Sequence, residues 1–449
     1  MAQPGKKFFL ILIFLCIYLI GASIQAFNVN TDMTKADQLD YIQRATDLNI
    51  THYERITDGN RMPLYPFILS FLYHPGISHG EYFRRGKILS IILSVTLLII
   101  LFLIFRIYLN ALESQVLILI TAFTLFMPRA GYIQSELLFY FLNFCAFLLF
   151  WGCLKTPRLW IAAAAGLLAG LTYLTKSSVV PAVVWFIFFY IIIHIAVPII
   201  KKIVNKIKPK MSLPQCHILK NIVALLVFIV IFLLTVYPYI SVNKQVFGHY
   251  FYNVNSTFYI WCDSWEQAKV GRDHGDRVGW PKMPPEELPS GGKYLHEHSL
   301  SQILVRLASG FVIVIGNAIG GFGYAQYLCI YLLICILAIT KQYGAFVEYL
   351  KLGNNYLIVI SLILYFLLYF LLYAFGATIF KGPRHPLAQY LPAMFLMSYF
   401  LSKLEFNYYS QAMSCQFDLR KINIIVIGLL GLELIFNMPY KIFAVFNGY

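Results

Sequence analysis

Apolar runs of about twenty residues alternate with short polar connections along most of this chain. A run of that length crosses a hydrocarbon core as an α-helix. Because backbone polar groups must be satisfied inside the bilayer, the pattern predicts an all-α polytopic membrane protein with one membrane-embedded domain over residues 1–449. Eleven runs are predicted to span the membrane: 8–26, 88–109, 115–128, 134–153, 159–175, 179–200, 221–241, 322–340, 355–376, 387–403 and 422–438.

Two long polar segments, 27–86 and 243–300, interrupt this pattern, and each holds seven of the chain's 20 acidic residues. The connection at 201–220 carries six lysines and no acid. The positive-inside rule places such a connection in the cytoplasm. The two acidic segments are therefore predicted to lie on the outer face as large loops that contain interfacial helices. The second, with its prolines and aromatic residues, is expected to form a lid.

The segment 301–320 is the ambiguous part of this topology, because it combines apolar residues with Arg306 and Asn317. It is predicted to lie at the outer interface or to insert partially. If it spans the membrane instead, the count becomes twelve and every later segment is inverted.

The composition changes the picture in two respects. Only 12% of the residues are charged, against about 25% in a typical soluble domain, which excludes a soluble protein with a single anchor. The net charge of +15 indicates anionic lipid or phosphate groups rather than nucleic acid, because the basic residues flank apolar runs. The eight cysteines contain no CxxC spacing, and no metal site or required cofactor is predicted, although a divalent metal stays compatible with the sequence.

The first polar segment contains a candidate for acid–base chemistry. Four residues recur at helical spacing and predict a short surface helix from Thr34: Leu39, Ile42, Ala45 and Leu48. Asp37, Asp40, Tyr41 and Arg44 then share a face. Asp37 could act as a general base on an acceptor group, or it could complete a capping box with Thr34. Asp40 is the alternative base, or else an i,i+4 partner of Arg44.

The residues after this helix, Arg61-Met62-Pro63-Leu64-Tyr65-Pro66, extend the pattern to D-x-x-x-Y … R-x-P-L-Y-P. In the first outer loop of a multi-spanning protein, this order resembles the protein O-mannosyltransferase and aminoarabinose-transferase superfamily of C-type membrane glycosyltransferases. The resemblance implies that Asp37 is the catalytic base and that Tyr41, Arg61 and Tyr65 bind substrate. The family often has a second acid beside the base, where this chain has Gln38.

Later motifs resemble the same family. Glu136 follows Tyr132-Ile133-Gln134-Ser135 at the outer end of a span, and Lys176 closes the run GLLAGLTYLTK. Arg384 and His385 lie between two later spans. The resemblance implies a substrate-binding role for Glu136, and donor-phosphate contacts for Lys176, Arg384 and His385. The amides and aromatic rings near Asn255 suit sugar binding.

Together these features imply a glycosyltransferase that inverts the anomeric centre. The donor would be a polyprenyl-phosphate-linked sugar, and the acceptor a lipid, a glycan or a protein. The expected location is a bacterial inner membrane, with the site facing the periplasm. The alternative is a transporter or flippase of a lipid-linked saccharide, which predicts internal symmetry and helices broken at mid-membrane.

Overall fold

The computed structural model describes residues 4–207, 218–273, 283–320, 324–380, 382, 384–408 and 419–443. All regular secondary structure within these ranges is helical. Lys208 and Lys210 of the predicted basic connection lie outside them.

Within the described ranges, the first half of the chain forms eleven α-helices. They are α1 (Pro4–Ile24), α2 (Gln38–Ile50), α3 (Leu64–Ser70), α4 (His79–Tyr108), α5 (Ala111–Ile120), α6 (Met127–Ala130), α7 (Glu136–Lys155), α8 (Leu159–Thr175), α9 (Val180–Ile191), α10 (Val197–Ile207) and α11 (Ile218–Phe247). Wider π-helical turns extend α1, join α5 to α6 and join α9 to α10, at Gln25–Val29, Thr121–Phe126 and Ile192–Ala196.

The second half forms nine further α-helices within the described ranges. They are α12 (Val254–Thr257), α13 (Trp265–Asp273), α14 (Gly291–Glu297), α15 (Leu300–Gly320), α16 (Tyr324–Lys341), α17 (Tyr343–Lys351), α18 (Asn355–Gly376), α19 (Tyr390–Tyr408) and α20 (Leu419–Phe443). Short 3₁₀ turns lie at Ser177–Val179, Tyr259–Trp261 and Pro386–Gln389.

Eight described helices are long and apolar enough to cross a membrane, which identifies a multi-pass membrane protein. Their spans are His79–Tyr108, Ala111–Ala130, Glu136–Lys155, Ser177–Val204, Ile218–Phe247, Leu300–Ile319, Tyr324–Lys341 and Asn355–Gly376. Two shorter apolar helices, Ile13–Val29 and Leu159–Thr175, accompany them. The segment predicted at 301–320 is thus one continuous helix, and α18 has the predicted bounds.

Several observed helix bounds differ from the predicted ones, and two of these differences shorten the polar loops. The helix predicted from 88 begins at His79, because the Ser78 hydroxyl accepts the Glu81 N–H at 3.2 Å and caps its first turn. The helix predicted to end at 241 continues through Pro238 to Phe247. The two polar connections are therefore 30–78, here called the first connection, and 248–299, here called the second connection. Both lie at the same end of the bundle, which is called the loop end.

The bundle is built around α7. In the apolar stretch of α7, 78% of the residues are buried inside the protein, whereas only 22% are buried in the apolar stretch of α11. On the next layer, α8 and α11 approach closely at two glycines. A Cβ on Gly166 would lie 2.5 Å from the Phe228 carbonyl oxygen, and one on Gly170 would lie 2.6 Å from Thr235 Cβ. These glycines therefore serve close helix packing, as their GxxxG spacing predicts.

The first connection is not a loose loop, because it has a small apolar core of its own. This core joins α2 and α3 to the ends of α4 and α7 and includes Tyr41, Ile42, Ala45, Tyr65, Leu69, Tyr82, Ile133 and Leu138. The beginning of α2 is consequently fixed above the first turn of α7.

Candidate active site

Asp37 is held between two guanidinium groups at the loop end of the bundle. Arg61 Nη2 lies 2.7 Å from Asp37 Oδ1, and the same nitrogen donates to Asp40 Oδ2 at 2.9 Å. On the other side, Arg384 Nη1 donates to Asp37 Oδ2 at 2.6 Å. The structure thus brings together residues of the first connection and of the segment between α18 and α19.

The row of alternating charges continues to α7 and α8. Arg384 Nη1 lies 4.0 Å from Glu136 Oε1, and Lys176 Nζ donates to the same oxygen at 2.9 Å. Among the described residues, these contacts form a row of three acids and three bases, here called the charge row, in the order Asp40, Arg61, Asp37, Arg384, Glu136 and Lys176. Its formal charges balance.

Hydrogen bonds to backbone explain how the arginines are placed. Asp58 Oδ1 accepts the N–H groups of Asn60 and Arg61 at 2.9 and 2.7 Å, which closes a turn and directs Arg61 toward α2. From α7, the Tyr140 hydroxyl donates to the Arg384 carbonyl at 2.8 Å. These contacts fix both cations on the rigid frame of the bundle.

The predicted start of α2 is wrong, and the capping interpretation of Asp37 fails with it. The helix begins at Gln38, and the Thr34 hydroxyl donates to Asp32 Oδ1 at 2.6 Å rather than capping it. Asp37 has φ +65° and Ala36 has φ +58°. An alanine in this left-handed region costs about 1–2 kcal/mol, whereas an aspartate tolerates it better, so the strain lies mainly at Ala36.

The pairing predicted between Asp40 and Arg44 is also wrong. Arg44 lies 3.2 Å from Asp47 and 3.3 Å from Asp58, whereas Asp40 is bound by Arg61. Arg44 therefore braces the first connection, and Asp40 belongs to the charge row.

Burial and neighbouring charges shift the pKa values of Asp37, Lys176 and His385. Burial raises the pKa of Asp37, but Arg61 and Arg384 together hold that pKa well below its usual value, so the carboxylate is ionised. Burial lowers the pKa of Lys176, and although Glu136 opposes this shift, that pKa lies below its usual value. Burial, with Lys176 and Arg384 close by, lowers the pKa of His385 well below its usual value, and His385 is a neutral imidazole at pH 7.

A cavity of about 780 Å³ opens beneath the charge row. One end is polar and is lined by Tyr41, Arg61, Glu136, Lys176, Arg384 and His385. The walls beyond are mainly apolar and include Val180, Val183, Phe232, Val314, Leu372 and Phe375, from α9, α11, α15 and α18. Among the described lining residues the single carboxylate is Glu136; Asp37 and Asp40 join the cavity through Arg61 and Arg384.

The second connection covers this cavity with a wall of amides and aromatic rings. Asn255 Nδ2 donates to Asn60 Oδ1 at 3.0 Å and to Asn253 Oδ1 at 3.2 Å, and Asn253 Nδ2 donates to the Asn60 carbonyl at 2.9 Å. Trp261 lines the same wall. Asn60 was absent from the sequence-based candidates, and no signal beyond its position beside Arg61 marks it.

The two candidate tyrosines have different positions. Tyr41 lines the cavity, and its hydroxyl lies 2.8 Å from Ser135 Oγ. Tyr65 packs behind it, with the ring centroids 5.3 Å apart, and its hydroxyl lies 3.0 Å from Ser90 Oγ. In this structure Tyr65 supports Tyr41.

Three buried polar atoms at the charge row have no hydrogen-bond partner among the residues that the structure describes: Glu136 Oε2, Arg61 Nε and Arg384 Nε. Nearly all buried polar groups in folded proteins are hydrogen-bonded, so each exception needs an explanation. One acceptor and two donors left open beside a cavity fit a ligand that has both a hydroxyl or amine group and anionic oxygens.

Comparisons with known proteins leave this geometry to be interpreted by itself. No protein-family model matches the chain, and neither a curated protein nor a solved structure matches it with significance.

Proposed function

We propose that this protein is a membrane glycosyltransferase that uses a polyprenyl-phosphate-linked sugar, with Asp37 as the general base. The acceptor oxygen or nitrogen attacks the anomeric carbon and loses its proton to Asp37. A bond from the acceptor to the anomeric carbon forms as the bond from that carbon to the phosphate oxygen breaks. The electron pair leaves on the phosphate, and direct displacement inverts the anomeric centre.

The observation that carries this proposal is the charge row at the polar end of a cavity whose other walls are mainly apolar. A lipid-linked sugar phosphate has the same division between a long apolar chain and an anionic group. The apolar walls suit the chain, while Arg384 and Lys176 line the polar end and suit the leaving phosphate. Preorganised cations in a site that excludes water stabilise developing negative charge strongly.

The position of Asp37 suits an acceptor that arrives from outside. Its side chain is 26% exposed, whereas Glu136 on the cavity side is 2% exposed. In this arrangement the donor occupies the cavity, and the acceptor meets the anomeric carbon at its mouth. The open Glu136 Oε2 then accepts a hydrogen bond from a donor sugar hydroxyl, while His385 and Asn255 offer neutral contacts.

We also infer that eleven helices cross the membrane and that α15 lies along the loop end. Arg306 Nε, near the start of α15, donates to the Phe375 carbonyl at the end of α18. The Tyr324 ring at the start of α16 lies 5.6 Å from the Tyr390 ring at the start of α19. Both α15 and α16 therefore begin at the loop end, which supports a non-crossing α15 although it is long enough to span.

With α15 placed in this way, the crossing units are α1, α4, α5–α6, α7, α8, α9–α10, α11, α16, α18, α19 and α20. The lysines at 201 and 202 fall at the end opposite the charge row. By the positive-inside rule, the charge row then faces outward, which in a bacterial inner membrane is the periplasm.

The proposal is tested with the purified full chain in lipid vesicles, supplied with radiolabelled polyprenyl-phosphate sugars and with lipid, glycan and peptide acceptors. Asp37→Asn should abolish transfer while the folded protein stays in the membrane. Asp47→Asn is the matched control, because Asp47 lies on α2, the helix that Asp37 directly precedes, pairs with Arg44 and is half exposed. Full turnover by Asp37→Asn would remove Asp37 as the base. Labelled lipid that crosses the vesicle without sugar transfer would support a flippase instead.

A further inference from the structure

The turn that presents Asp37 has an unusual backbone. The Gln38 N–H donates to the Lys35 carbonyl at 3.3 Å, which closes a four-residue turn. Both central residues, Ala36 and Asp37, have positive φ. Turns with positive φ at both central positions favour glycine, asparagine and aspartate, so Ala36 is held against its own preference.

The side chain of Gln38 holds this turn from inside. It is fully buried, and its Nε2 donates to the Lys35 carbonyl at 3.2 Å and to Asn30 Oδ1 at 2.9 Å. Its Oε1 accepts from Asn30 Nδ2 at 2.8 Å and from the Ile133 N–H at 3.0 Å. The Gln38 amide therefore donates and accepts hydrogen bonds at the same time, whereas an ionised carboxylate at this position could only accept them.

The segment that leads into α7 contacts the Asp37 turn and Asn30 from the other side. Gln134 Nε2 donates to the Ala36 carbonyl at 2.6 Å, and Asn30 Nδ2 donates to the Gly131 carbonyl at 2.8 Å. A Cβ on Gly131 would lie 2.8 Å from the Ala26 nitrogen, so the two segments touch at the backbone. The turn is thereby tied to the same helix end that carries Glu136.

We propose that Gln38 is a positioning residue for Asp37 and that it acts together with Gln134. This inference rests on the proposed function, in which Asp37 is the base. Gln38 does not line the cavity in the described structure, so it acts on the reaction through the residues that it holds in place, above all the Asp37 turn. Its contacts set the distance of the Asp37 carboxylate from Arg61 and Arg384.

The test compares Gln38→Met, Gln38→Glu and Gln134→Met with Asn221→Leu. Asn221 also donates its amide to a backbone carbonyl, that of His194, but at the opposite end of the bundle. A misplacement of about 1 Å in a reacting group lowers turnover about 100-fold, and the three turn variants should show such a fall in kcat. The KM for the donor should not rise, because Lys176 and Arg384 lie on other segments and a displaced Asp37 competes less for Arg384.

The pH profile separates positioning from a merely structural role. Asp37 faces Arg61 and Arg384 directly, with Asp40 and Glu136 as their other partners. A displaced Asp37 loses part of this cationic contact, so the acid limb of kcat/KM should move to higher pH in the turn variants and stay in place in Asn221→Leu.

Normal kcat, or an unmoved acid limb, in Gln38→Met would overturn the positioning role even where Asp37→Asn is inactive. Full turnover by Asp37→Asn would overturn the proposed function and this inference together.

Discussion

Arg384 and Asp37 are 347 residues apart in the chain, and their side chains meet at 2.6 Å. The contact joins the segment between α18 and α19 to the first connection, so it closes the charge row across the cavity mouth. Arg384 lines the cavity, whereas Asp37 does not. A donor phosphate that binds Arg384 would compete with Asp37 for this cation and leave the carboxylate more basic.

Arg384→Gln should lower kcat/KM for the donor about 100-fold to 1,000-fold, since it removes one stabilising charge from the leaving phosphate. It should also move the acid limb of the pH–rate profile. Arg61 and Arg384 hold the pKa of Asp37 below its usual value, so the base stays ionised far into the acidic range. Without Arg384 that pKa rises, and activity should be lost at a higher pH.

Steady-state assays over an acidic to neutral pH series measure both effects. Arg106→Gln is the control. Arg106 lies in the last turn of α4, at the end of the bundle opposite the charge row, and donates to the Leu109 carbonyl. An acid limb at the same pH in Arg384→Gln and in the parent protein would contradict the role assigned to this ion pair.

Parts of this site could be predicted from the sequence because they depend on composition and order. The apolar helices follow from the length of the apolar runs, and the number of predicted spans together with the position of the lysines predicts that Asp37, Glu136, Lys176 and Arg384 lie at one end of the bundle. The order of short motifs then indicates one shared site. None of this requires knowledge of a contact between distant residues.

The conformation of the Asp37 turn could not be predicted in this way. The sequence pattern favours a helix from Thr34, and that local preference is overridden by buried amides that come from Asn30 and Gln134. The contact of Asp40 with Arg61 was also missed, because the two residues are distant along the chain. Spacing favours Arg44 at i+4, whereas the fold supplies Arg61 from beyond the end of the helix.

Glu136 and Lys176 should depend on each other for stability. Glu136 is 2% exposed and accepts from Lys176 at 2.9 Å. Removing one member of a buried ion pair leaves an uncompensated charge and costs about 3–5 kcal/mol. Lys176→Met should therefore lower the thermal stability of the detergent-solubilised protein, and the double variant Glu136→Gln/Lys176→Met should recover part of it without recovering transfer.

A double-mutant cycle on the unfolding midpoint measures this coupling. Glu81→Gln with Arg85→Met is the comparison, because that exposed i,i+4 pair on α4 should couple weakly. Additive effects at Glu136 and Lys176 would show that the two side chains do not form the pair described.

The placement of α15 predicts the sides on which two exposed residues lie. Ser299 precedes α15, and Tyr343 follows α16. With α15 lying along the loop end, one crossing separates them, and single cysteines at these positions should react with an impermeant maleimide from opposite sides of the membrane. The experiment uses a background without the eight native cysteines. Labelling of both from the same side would mean that α15 crosses the membrane.

The contact between α8 and α11 gives the last prediction, which concerns stability rather than chemistry. At Gly166, an added methyl group would lie 2.5 Å from the Phe228 carbonyl oxygen and 3.1 Å from the Phe232 nitrogen, and backbone atoms cannot move aside as a flexible side chain can. Overpacking of this kind costs about 1–3 kcal/mol. Gly166→Ala should therefore lower the unfolding midpoint. Gly428→Ala in α20 is the control, because nothing lies within 4 Å of its added Cβ, and alanine favours a helix there. Since Lys176 follows directly after α8, Gly166→Ala should also weaken donor binding, which is measured as a rise in KM with little change in kcat. Equal stability of the two variants would contradict the close contact between α8 and α11.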